Sequence, residues 1–387
     1  MADLRHFAVS LAGASAFINL YSPQAVLPLL AREFDASPAD VSMMLTATAL
    51  AVALVAPFTG AVADVLGRKR VIIAAMTMLL VPSVMIAFAP NLQAVLFWRF
   101  VLGLLLPPIF AVTLAYIGEE WPAAEATGVT GIYTSAVGFG GFLGRFLTGV
   151  LADVIGWRNA FLADAALTLL CLIGVALLLP REQQFVRAHN LAASARQMLA
   201  HLRNPRLIGT YAVGFCVLFN FIAVFTYVNF YLAAPPFNLS ATALGSIFIV
   251  YLAGTATTPL TGRFVARFGR RRFVIGVIAV WMCGVLLTLL PWLPAIIAGL
   301  AVAAACGFFC QASSTSFVAT TAQGGASSAV GLYVTSFYVG GSVGAVLPGL
   351  TWNLAGWPGA IAMVVAVLVI IASIVFVAWR PVVAPTH

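Results

Sequence analysis

Long apolar runs follow one another along the chain and are separated by short polar segments. Each run approaches the length of about 20 residues that a helix needs to cross the hydrocarbon core of a bilayer. Because lipid offers the backbone no hydrogen-bond partners, such segments must close their hydrogen bonds as helices. The runs predict twelve membrane-spanning helices, near residues 7–30, 41–63, 71–89, 93–117, 128–151, 158–179, 206–232, 241–262, 273–290, 294–318, 329–350 and 358–379.

Two segments recur later in the chain. Segment 57–70 returns in weaker form as 259–272, with the same proline, threonine and glycine ahead of a glycine and three basic residues. Segments 131–160 and 331–360 match without a gap at ten of thirty positions. The fifth helix of one half is therefore equivalent to the fifth helix of the other. We predict two six-helix halves in parallel order.

The composition is that of a protein surrounded by lipid. The 387 residues are 63% hydrophobic and 8% charged, whereas a soluble domain carries about 25% charged residues. The net charge of +8 is typical of basic cytoplasmic loops, and we expect no nucleic-acid partner. The five cysteines lie in apolar runs without the spacing of a zinc site, so we expect no bound metal.

The distribution of Lys and Arg predicts the orientation. With a cytoplasmic N-terminus, only Arg32 and Arg158 of the 19 basic residues lie on the outer side, and Arg99 and Arg145 lie within helices. Basic residues accumulate in cytoplasmic loops, which places both termini in the cytoplasm of a cell whose inner membrane holds the chain. The fifteen cytoplasmic residues are Arg5, Arg68, Lys69, Arg70, Arg181, Arg187, Arg196, Arg203, Arg206, Arg263, Arg267, Arg270, Arg271, Arg272 and Arg380.

A polar stretch between the sixth and seventh helices is the only segment long enough to connect two halves. We therefore predict an N-terminal six-helix bundle over 1–180, a cytoplasmic linker over 181–205 and a C-terminal six-helix bundle over 206–387. Residues 191–203 of the linker form either a short amphipathic helix on the membrane surface or a solvated connection.

Residues 60–70 read GAVADVLGRKR. Gly60 and Gly67 allow close helix contact and a tight turn, and Asp64 is placed to cap a helix N-terminus or to pair with Arg68. In the second copy Ala266 takes the place of Asp64, so the two copies are not equivalent.

This segment resembles the signature between the second and third helices of the major facilitator superfamily, G-x-x-x-D-x-x-G-R-[KR]-[KR]. Segment 99–103 resembles the family's R-x-x-x-G signature in the fourth helix, and segment 138–149 resembles the glycine-rich fifth helix of its antiporters. The nearest branch is that of bacterial 12-helix drug and sugar efflux transporters. The resemblance implies an all-α membrane protein of two six-helix bundles, related by a pseudo-two-fold axis along the membrane normal.

In that family the loop cluster, here Gly60, Asp64, Gly67 and Arg68, latches the two halves on the cytoplasmic side in one transport state. The alternative is that the basic residues only anchor the loop to anionic lipid. On the fifth and eleventh helices, the pairs Gly140 and Gly144 and Gly340 and Gly344 are spaced one turn apart. Small residues at this spacing let helix backbones touch.

Three charged residues are predicted at one depth inside the membrane: Arg99, Arg145 and Asp164. Charges at such depth face a cavity or a partner. They form either a structural arginine–aspartate pair or a site for substrate or proton, and Arg99 is alternatively placed to snorkel to the outer surface. Arg99 is the first choice for a role in transport.

Polar residues within other helices are further candidates for the cavity. In the family, helices 1, 4, 7 and 10 line the pathway, which favours Asn19, Gln24, Asn220 and Gln311, with Tyr227 beside them. The alternative for each is an interhelical hydrogen bond. Most aromatic residues are expected to face lipid and not to form a binding cage.

These residues and the resemblance together predict a secondary active transporter, not an enzyme, that exports a small organic solute by alternating access and is driven by a proton gradient. No acidic residue lies between Phe7 and Leu30, so Asp164 is the candidate for proton coupling. The positive balance favours a neutral or anionic substrate. Alternatives are uptake or facilitated transport of an organic anion, and a membrane sensor without transport. We expect no cofactor, a small-molecule substrate, a surrounding lipid bilayer and function as a monomer.

Overall fold

A computed structural model describes residues 2–182, 199–322 and 326–379. Every regular element in this part of the chain is helical, as the apolar runs predict. Most of the predicted linker 181–205 lies outside the described residues.

Twelve helices, named α1 to α12, follow the predicted order within the described residues. Four of them are interrupted: α1 continues past a 3-10 turn into Leu27–Glu33, α4 breaks at Leu106, α8 consists of three pieces, and α12 is kinked at Gly356. The bounds are Ala2–Tyr21 (α1), Pro38–Leu66 (α2), Arg68–Ala87 (α3), Leu92–Leu105 with Pro107–Glu120 (α4), Ala123–Ile155 (α5), Trp157–Leu178 (α6), Pro205–Ala233 (α7), Ala241–Ile247 with Val250–Thr257 and Thr261–Phe268 (α8), Arg270–Leu287 (α9), Leu293–Thr321 (α10), Ala326–Val346 (α11) and Pro348–Ala378 (α12).

Ten of these helical segments, counted over the described residues, are long and apolar enough to cross a membrane. The two that fall short are α1 and α9. Helix α9 begins with three consecutive arginines, and α1 carries charged residues in its first turns. Both pack within their own halves against helices that meet the criterion, α1 against α5 and α9 against α10.

Four glycines mark equivalent turns in the two halves. Gly67 (φ 93°) separates α2 from α3, and Gly269 (φ 77°) separates α8 from α9. Gly156 (φ 84°) separates α5 from α6, and Gly356 (φ 60°) breaks α12 at the matching point. A positive φ of this size is a conformation that glycine adopts without steric cost. The first turns of α12 therefore extend α11, and the predicted twelfth helix begins after Gly356.

Small residues bring α5 against α1 and α11 against α7. A Cβ at Gly140 would lie 2.5 Å from the carbonyl oxygen of Ala14, and one at Gly144 would lie 2.6 Å from that of Ile18. In the other half, a Cβ at Gly340 or Gly344 would collide with the α7 backbone. Each glycine therefore permits a backbone approach that no other residue allows without a shift of the helices.

This packing predicts that alanine has opposite effects on stability at two glycine positions of α5. Gly140→Ala forces a side chain against the α1 backbone, and we expect it to destabilise the protein by about 1–3 kcal/mol. Gly131→Ala is the matched control, since no atom would lie within 4 Å of its Cβ and alanine favours a helix by up to about 1 kcal/mol. Thermal unfolding in detergent should show a lower midpoint for the first variant and an equal or higher midpoint for the second. Equal shifts would contradict the close packing at Gly140.

The two halves contact each other through α2 with α11 and α5 with α8. The Thr46 hydroxyl donates to the carbonyl oxygen of Ser342 at 2.7 Å. Asp153, near the end of α5, accepts hydrogen bonds from the first N–H groups of α8, at 3.3 Å from Ala241 and 2.7 Å from Thr242. A carboxylate at a helix N-terminus is favourable, so Asp153 holds the halves together at this end.

The interface between α5 and α8 opens toward the other end, which carries the turns at Gly67 and Gly269 and is named the basic end. One face of α5 touches α8 at Gly149, Arg145 and Gly138. The same face continues to Ser135 and Gly131, and both of these are exposed. Along α5 and α8, the halves therefore meet at the Asp153 end and are apart at the basic end.

Candidate functional site

Arg145 on α5 is fully buried where the two halves meet. Its guanidinium carbon lies 4.1 Å from the ring centre of Tyr21 on α1. It lies 4.5 Å from the ring centre of Phe248, between the first two pieces of α8, and 4.7 Å from that of Tyr251, in the second piece. Such contacts between a cation and aromatic faces strengthen when water is excluded. Three rings, one from the first half and two from the second, thus form a cage around one charge.

The hydrogen bonds of Arg145 leave one nitrogen unused. Its Nε donates to Oε1 of Gln24 at 2.7 Å, and its Nη1 donates to the carbonyl oxygen of Gly141 at 2.6 Å. Its Nη2 is buried and has no partner among the described residues. A buried unsatisfied donor is costly, so this nitrogen is a ready place for a ligand oxygen.

Gln24 connects this arginine to the second half. Its Nε2 donates to the hydroxyl of Thr226 on α7 at 3.0 Å. Beside Tyr21, a cavity of about 10 Å³ lies between the halves, which is room for about one water molecule. A larger solute therefore requires the halves to move apart at this level.

Arg99 on α4 serves the backbone of α1. Its Nη1 and Nη2 each donate at 2.7 Å, to the carbonyl oxygens of Asn19 and Leu20. In a continuous helix the Asn19 carbonyl would accept from the N–H of residue 23, but that residue is Pro23 and has no N–H. Arg99 therefore replaces the missing donor where α1 breaks. This arrangement favours a structural role for Arg99, whose guanidinium hydrogen bonds go to the first half.

Asp164 on α6 is fully buried, and it forms no ion pair within 4 Å with either arginine. The Thr148 hydroxyl donates to its Oδ2 at 2.7 Å, while its Oδ1 has no partner among the described residues. Thr148 follows Arg145 by one turn of α5. The carboxyl group and the caged guanidinium are therefore linked through one helix without being in contact.

Asn19 joins three helices of the first half. Its side-chain amide donates to the Thr168 hydroxyl at 2.7 Å and accepts from the Ser83 hydroxyl at 3.0 Å. Thr168 in turn donates to the backbone carbonyl of Asp164 at 2.8 Å. These contacts of Asn19 are interhelical hydrogen bonds, which was the alternative to a role in lining the transport cavity.

The other predicted cavity residues divide between the two interpretations. The Tyr227 hydroxyl donates to the carbonyl oxygen of Ala345 at 3.1 Å, a contact between α7 and α11. Asn220 donates to its own helix at Cys216, and its Oδ1 is buried without a partner in the described part of the chain. Gln311 is half-buried on α10. Of these, Asn220 retains the clearest unused polar atom.

The Arg68 cluster lies wholly within the first half. Arg68 Nη2 lies 2.6 Å from Asp64 Oδ1, and the same guanidinium binds both carboxylate oxygens of Glu119 at 2.5 and 3.0 Å. Gly60 contributes its carbonyl oxygen at 3.5 Å. The Asp64–Arg68 pair was foreseen from the sequence, but Glu119 was not. The position of Glu119 at the end of α4, on the same membrane face as Arg68, could have indicated this ion pair from the sequence.

Sequence reasoning also missed the residues around Arg145. Tyr21, Thr226 and Phe248 are not among the site residues predicted from the sequence. Three aromatic rings nevertheless enclose Arg145, and the sequence did not predict this cluster. These residues come from helices that are distant in sequence, so no local spacing could have brought them together.

Comparison with known proteins identifies the family. The model of the Major Facilitator Superfamily matches residues 9–249 and 232–387, which together span nearly the whole chain. The chain belongs to the Major Facilitator Superfamily. Members of this superfamily are transporters, so the chain is a multi-pass membrane transporter and not an enzyme.

Several superfamily members resemble the chain over most of its length. The inner membrane transport protein YnfM of Escherichia coli (strain K12) is 30% identical over 368 residues, with 93% of this chain and 86% of the relative covered. The uncharacterized MFS-type transporter YybF of Bacillus subtilis (strain 168) is 28% identical over 365 residues, with 94% and 90% covered.

Solved structures of superfamily members share the fold. A variant of the nucleoside transporter NupG superposes with a TM-score of 0.81 at 15% identity, covering 97% of this chain and all of the other. A bacterial homologue of the lysosomal transporter Spinster, in an inward-facing and unoccupied conformation, gives 0.78 at 16% identity, with 96% of each chain covered. The two six-helix bundles predicted from the repeat are therefore confirmed as the major facilitator fold.

Proposed function

We propose that this transporter exports a small neutral or anionic organic solute in exchange for protons, by alternating access between its two halves. The observation that carries the proposal is the environment of Arg145. A buried guanidinium with an unused Nη2 lies among rings from both halves. Such a group binds an oxygen of a solute directly, and a solute bound there contacts both halves at once.

The charge distribution supports the choice of substrate class. All 11 acidic residues lie at or before Glu182, so residues 183–387 contain none. A cationic solute at Arg145 would meet a like charge and no carboxylate from the second half. An oxygen-rich neutral or anionic solute meets a donor and aromatic faces, which is the mixture found in small-molecule sites.

Asp164 is the proposed proton-coupling group. An intramembrane carboxyl is a candidate for proton relay, and Thr148 connects it to the helix that carries Arg145. Gain or loss of the proton changes whether the Asp164 carboxyl group donates or only accepts hydrogen bonds. A change in its hydrogen bond with Thr148 would shift α5 and thereby move Arg145, which lies one turn away. The proton gradient then supplies the energy, and no cofactor is needed.

The same proposal assigns an orientation. The basic end would face the cytoplasm of a bacterial inner membrane, with both termini on that side, because basic residues accumulate there. The open interface at Gly131 and Ser135 would then admit solute from the cytoplasm, while Asp153 closes the outer end. We propose that a single chain suffices, since each half supplies residues to the Arg145 cage.

The experiment begins with thermal unfolding of the purified protein in the presence of sugars, organic acids and drug-like solutes. A solute that raises the unfolding midpoint is then followed in vesicles that contain the protein and carry a pH gradient. We expect the solute to move against its concentration only in the direction opposite to proton flow, and not in vesicles without protein. Movement in the same direction as protons would give uptake in place of efflux. Movement unaffected by the gradient would exclude coupling.

A further inference from the structure

A second concave site lies at the basic end of the C-terminal half, far from Arg145. The cavity has a volume of about 750 Å³ and is named the arginine cavity. It is lined by arginines from α7 and α9 and by aromatic rings from α8, α10 and α12. Its main lining residues are Arg206, Arg270, Arg271, Arg272, Phe317 and Phe376.

The arginine cavity lacks acidic side chains from its own half, since residues 183–387 contain none. Among the described residues, the side-chain hydrogen bonds of Arg270 go to two hydroxyl groups, at 3.1 Å from Ser316 and 3.4 Å from Thr320, and its guanidinium carbon lies 5.2 Å from the ring centre of Phe317. Its Nε is buried without a partner among the described residues. Clustered like charges repel, so the site favours a bound anion.

The equivalent turn in the N-terminal half contains such anions. Gly67 and the start of α3 correspond to Gly269 and the start of α9. There, the backbone N–H of Lys69 donates to the carboxylate of Glu182 at 3.3 Å, and this carboxylate lies against Gly67. Arg68 is paired with two further carboxylates. The first half thus uses its own carboxylates where the second half has a cavity.

Free N–H groups at the start of α9 add to the attraction for an anion. The first N–H groups of a helix have no partner inside the helix, and the helix dipole favours negative charge there. In the first half, the carboxylate of Glu182 occupies this place at α3. Residues 183–387 contain no acidic side chain that could do the same at α9.

The rim of the arginine cavity is apolar and faces outward. Arg271 lies over the ring of Phe376 at 4.1 Å, and Phe376 and Phe268 are each about half exposed. A free inorganic anion would leave these rings unused. An amphiphile would place its charged group among the arginines and its chains along the rings, because apolar surface is favourably buried in lipid.

We propose that the arginine cavity binds the phosphate headgroup of an anionic phospholipid from the adjoining leaflet. The headgroup supplies the counter-charge that Glu182, Asp64 and Glu119 supply in the other half. The acyl chains extend along the exposed rings into the bilayer. This site is separate from the proposed solute site, so its occupancy is measurable without knowing the solute.

The test is native mass spectrometry of the purified chain after addition of phosphatidylglycerol or phosphatidylcholine at equal concentration. We expect the chain to retain phosphatidylglycerol in clear preference to phosphatidylcholine. Since each basic residue near an anionic lipid contributes about a fivefold factor in affinity, R270Q/R271Q should weaken retention about 25-fold. The matched control is R263Q/R267Q, which removes the same charge from α8 at positions outside the cavity lining, and it should weaken retention clearly less than R270Q/R271Q does.

Several results would overturn the proposal. Equal loss in both double variants would show attraction to net charge alone. Thermal stabilisation by inorganic phosphate equal to that by phosphatidylglycerol would make a free anion the ligand. Retention that appears only after removal of residues 381–387 would make the C-terminal segment the occupant. If R270Q/R271Q does not fold, the proposal is tested by whether the unaltered chain retains more phosphatidylglycerol than phosphatidylcholine. Equal retention of the two lipids would refute the proposal.

Discussion

Asp164→Asn should reduce proton-driven transport to the background of vesicles without protein. Asparagine has nearly the same shape as aspartate and keeps an oxygen for the hydroxyl of Thr148, which lies 2.7 Å from Oδ2. It cannot gain or lose a proton at neutral pH. The packing of α6 against α5 should therefore survive while the coupling is lost. Solute accumulation in vesicles with an imposed pH gradient measures this directly.

The same vesicle assay provides two controls for this prediction. Exchange of labelled for unlabelled solute without a gradient should persist in Asp164→Asn, because the Arg145 cage is unchanged. Asp35→Asn makes the same chemical change at an exposed loop residue, and asparagine accepts the positive φ of 46° found there. It should transport like the unaltered chain. Proton-driven accumulation in Asp164→Asn at the unaltered rate would remove this residue from the mechanism.

Arg145→Lys should weaken solute binding about tenfold or more, although the charge is kept. A lysine ammonium lacks the planar fork that lets one side chain bind Gln24, stack between rings and offer a further nitrogen. A charge-assisted hydrogen bond is worth about 1.5–3 kcal/mol, which corresponds to roughly a ten- to hundredfold change in affinity. Solute-induced shifts of the thermal unfolding midpoint, titrated over concentration, give the affinity of each variant.

Arg99→Lys is the matched comparison, since Arg99 is the other fully buried arginine among the described residues. Its two terminal nitrogens bind the carbonyl oxygens of Asn19 and Leu20, so the change should lower the unfolding midpoint in the absence of solute. Affinity in the folded fraction should stay within about twofold, because no hydrogen bond to solute is removed. If Arg99→Lys loses affinity and Arg145→Lys does not, the sequence-based preference for Arg99 is correct and the cage is structural.

The sequence placed the helices well because the bilayer imposes a simple requirement. A backbone in lipid must satisfy its own hydrogen bonds over about 20 residues, and this length is visible in the apolar runs. Glycines at 67, 156, 269 and 356 break the runs at equivalent turns, and their positive φ angles explain why the repeat is visible there. The bounds of α11 and α12 were less well predicted, because α12 as observed begins ahead of its kink at Gly356.

The sequence identified several residues of the candidate site but not how they are arranged in space. Arg145, Asp164 and Gln24 are conspicuous as polar residues within apolar helices, and the sequence was enough to select them. It did not rank Arg145 above Arg99. The difference depends on Pro23, which removes a backbone donor and gives Arg99 a structural task. That relation joins residues on different helices.

By itself, the sequence determined that this is a twelve-helix membrane protein built from two related halves with one strongly basic end. Those properties depend on apolar length, on local glycine turns and on counts of charge, all of which are local in the chain. Only the tertiary structure decided which polar residues meet. Packing of α1, α5 and α8 places Tyr21, Phe248 and Tyr251 around Arg145, and the energy of a buried charge depends on its neighbours in space.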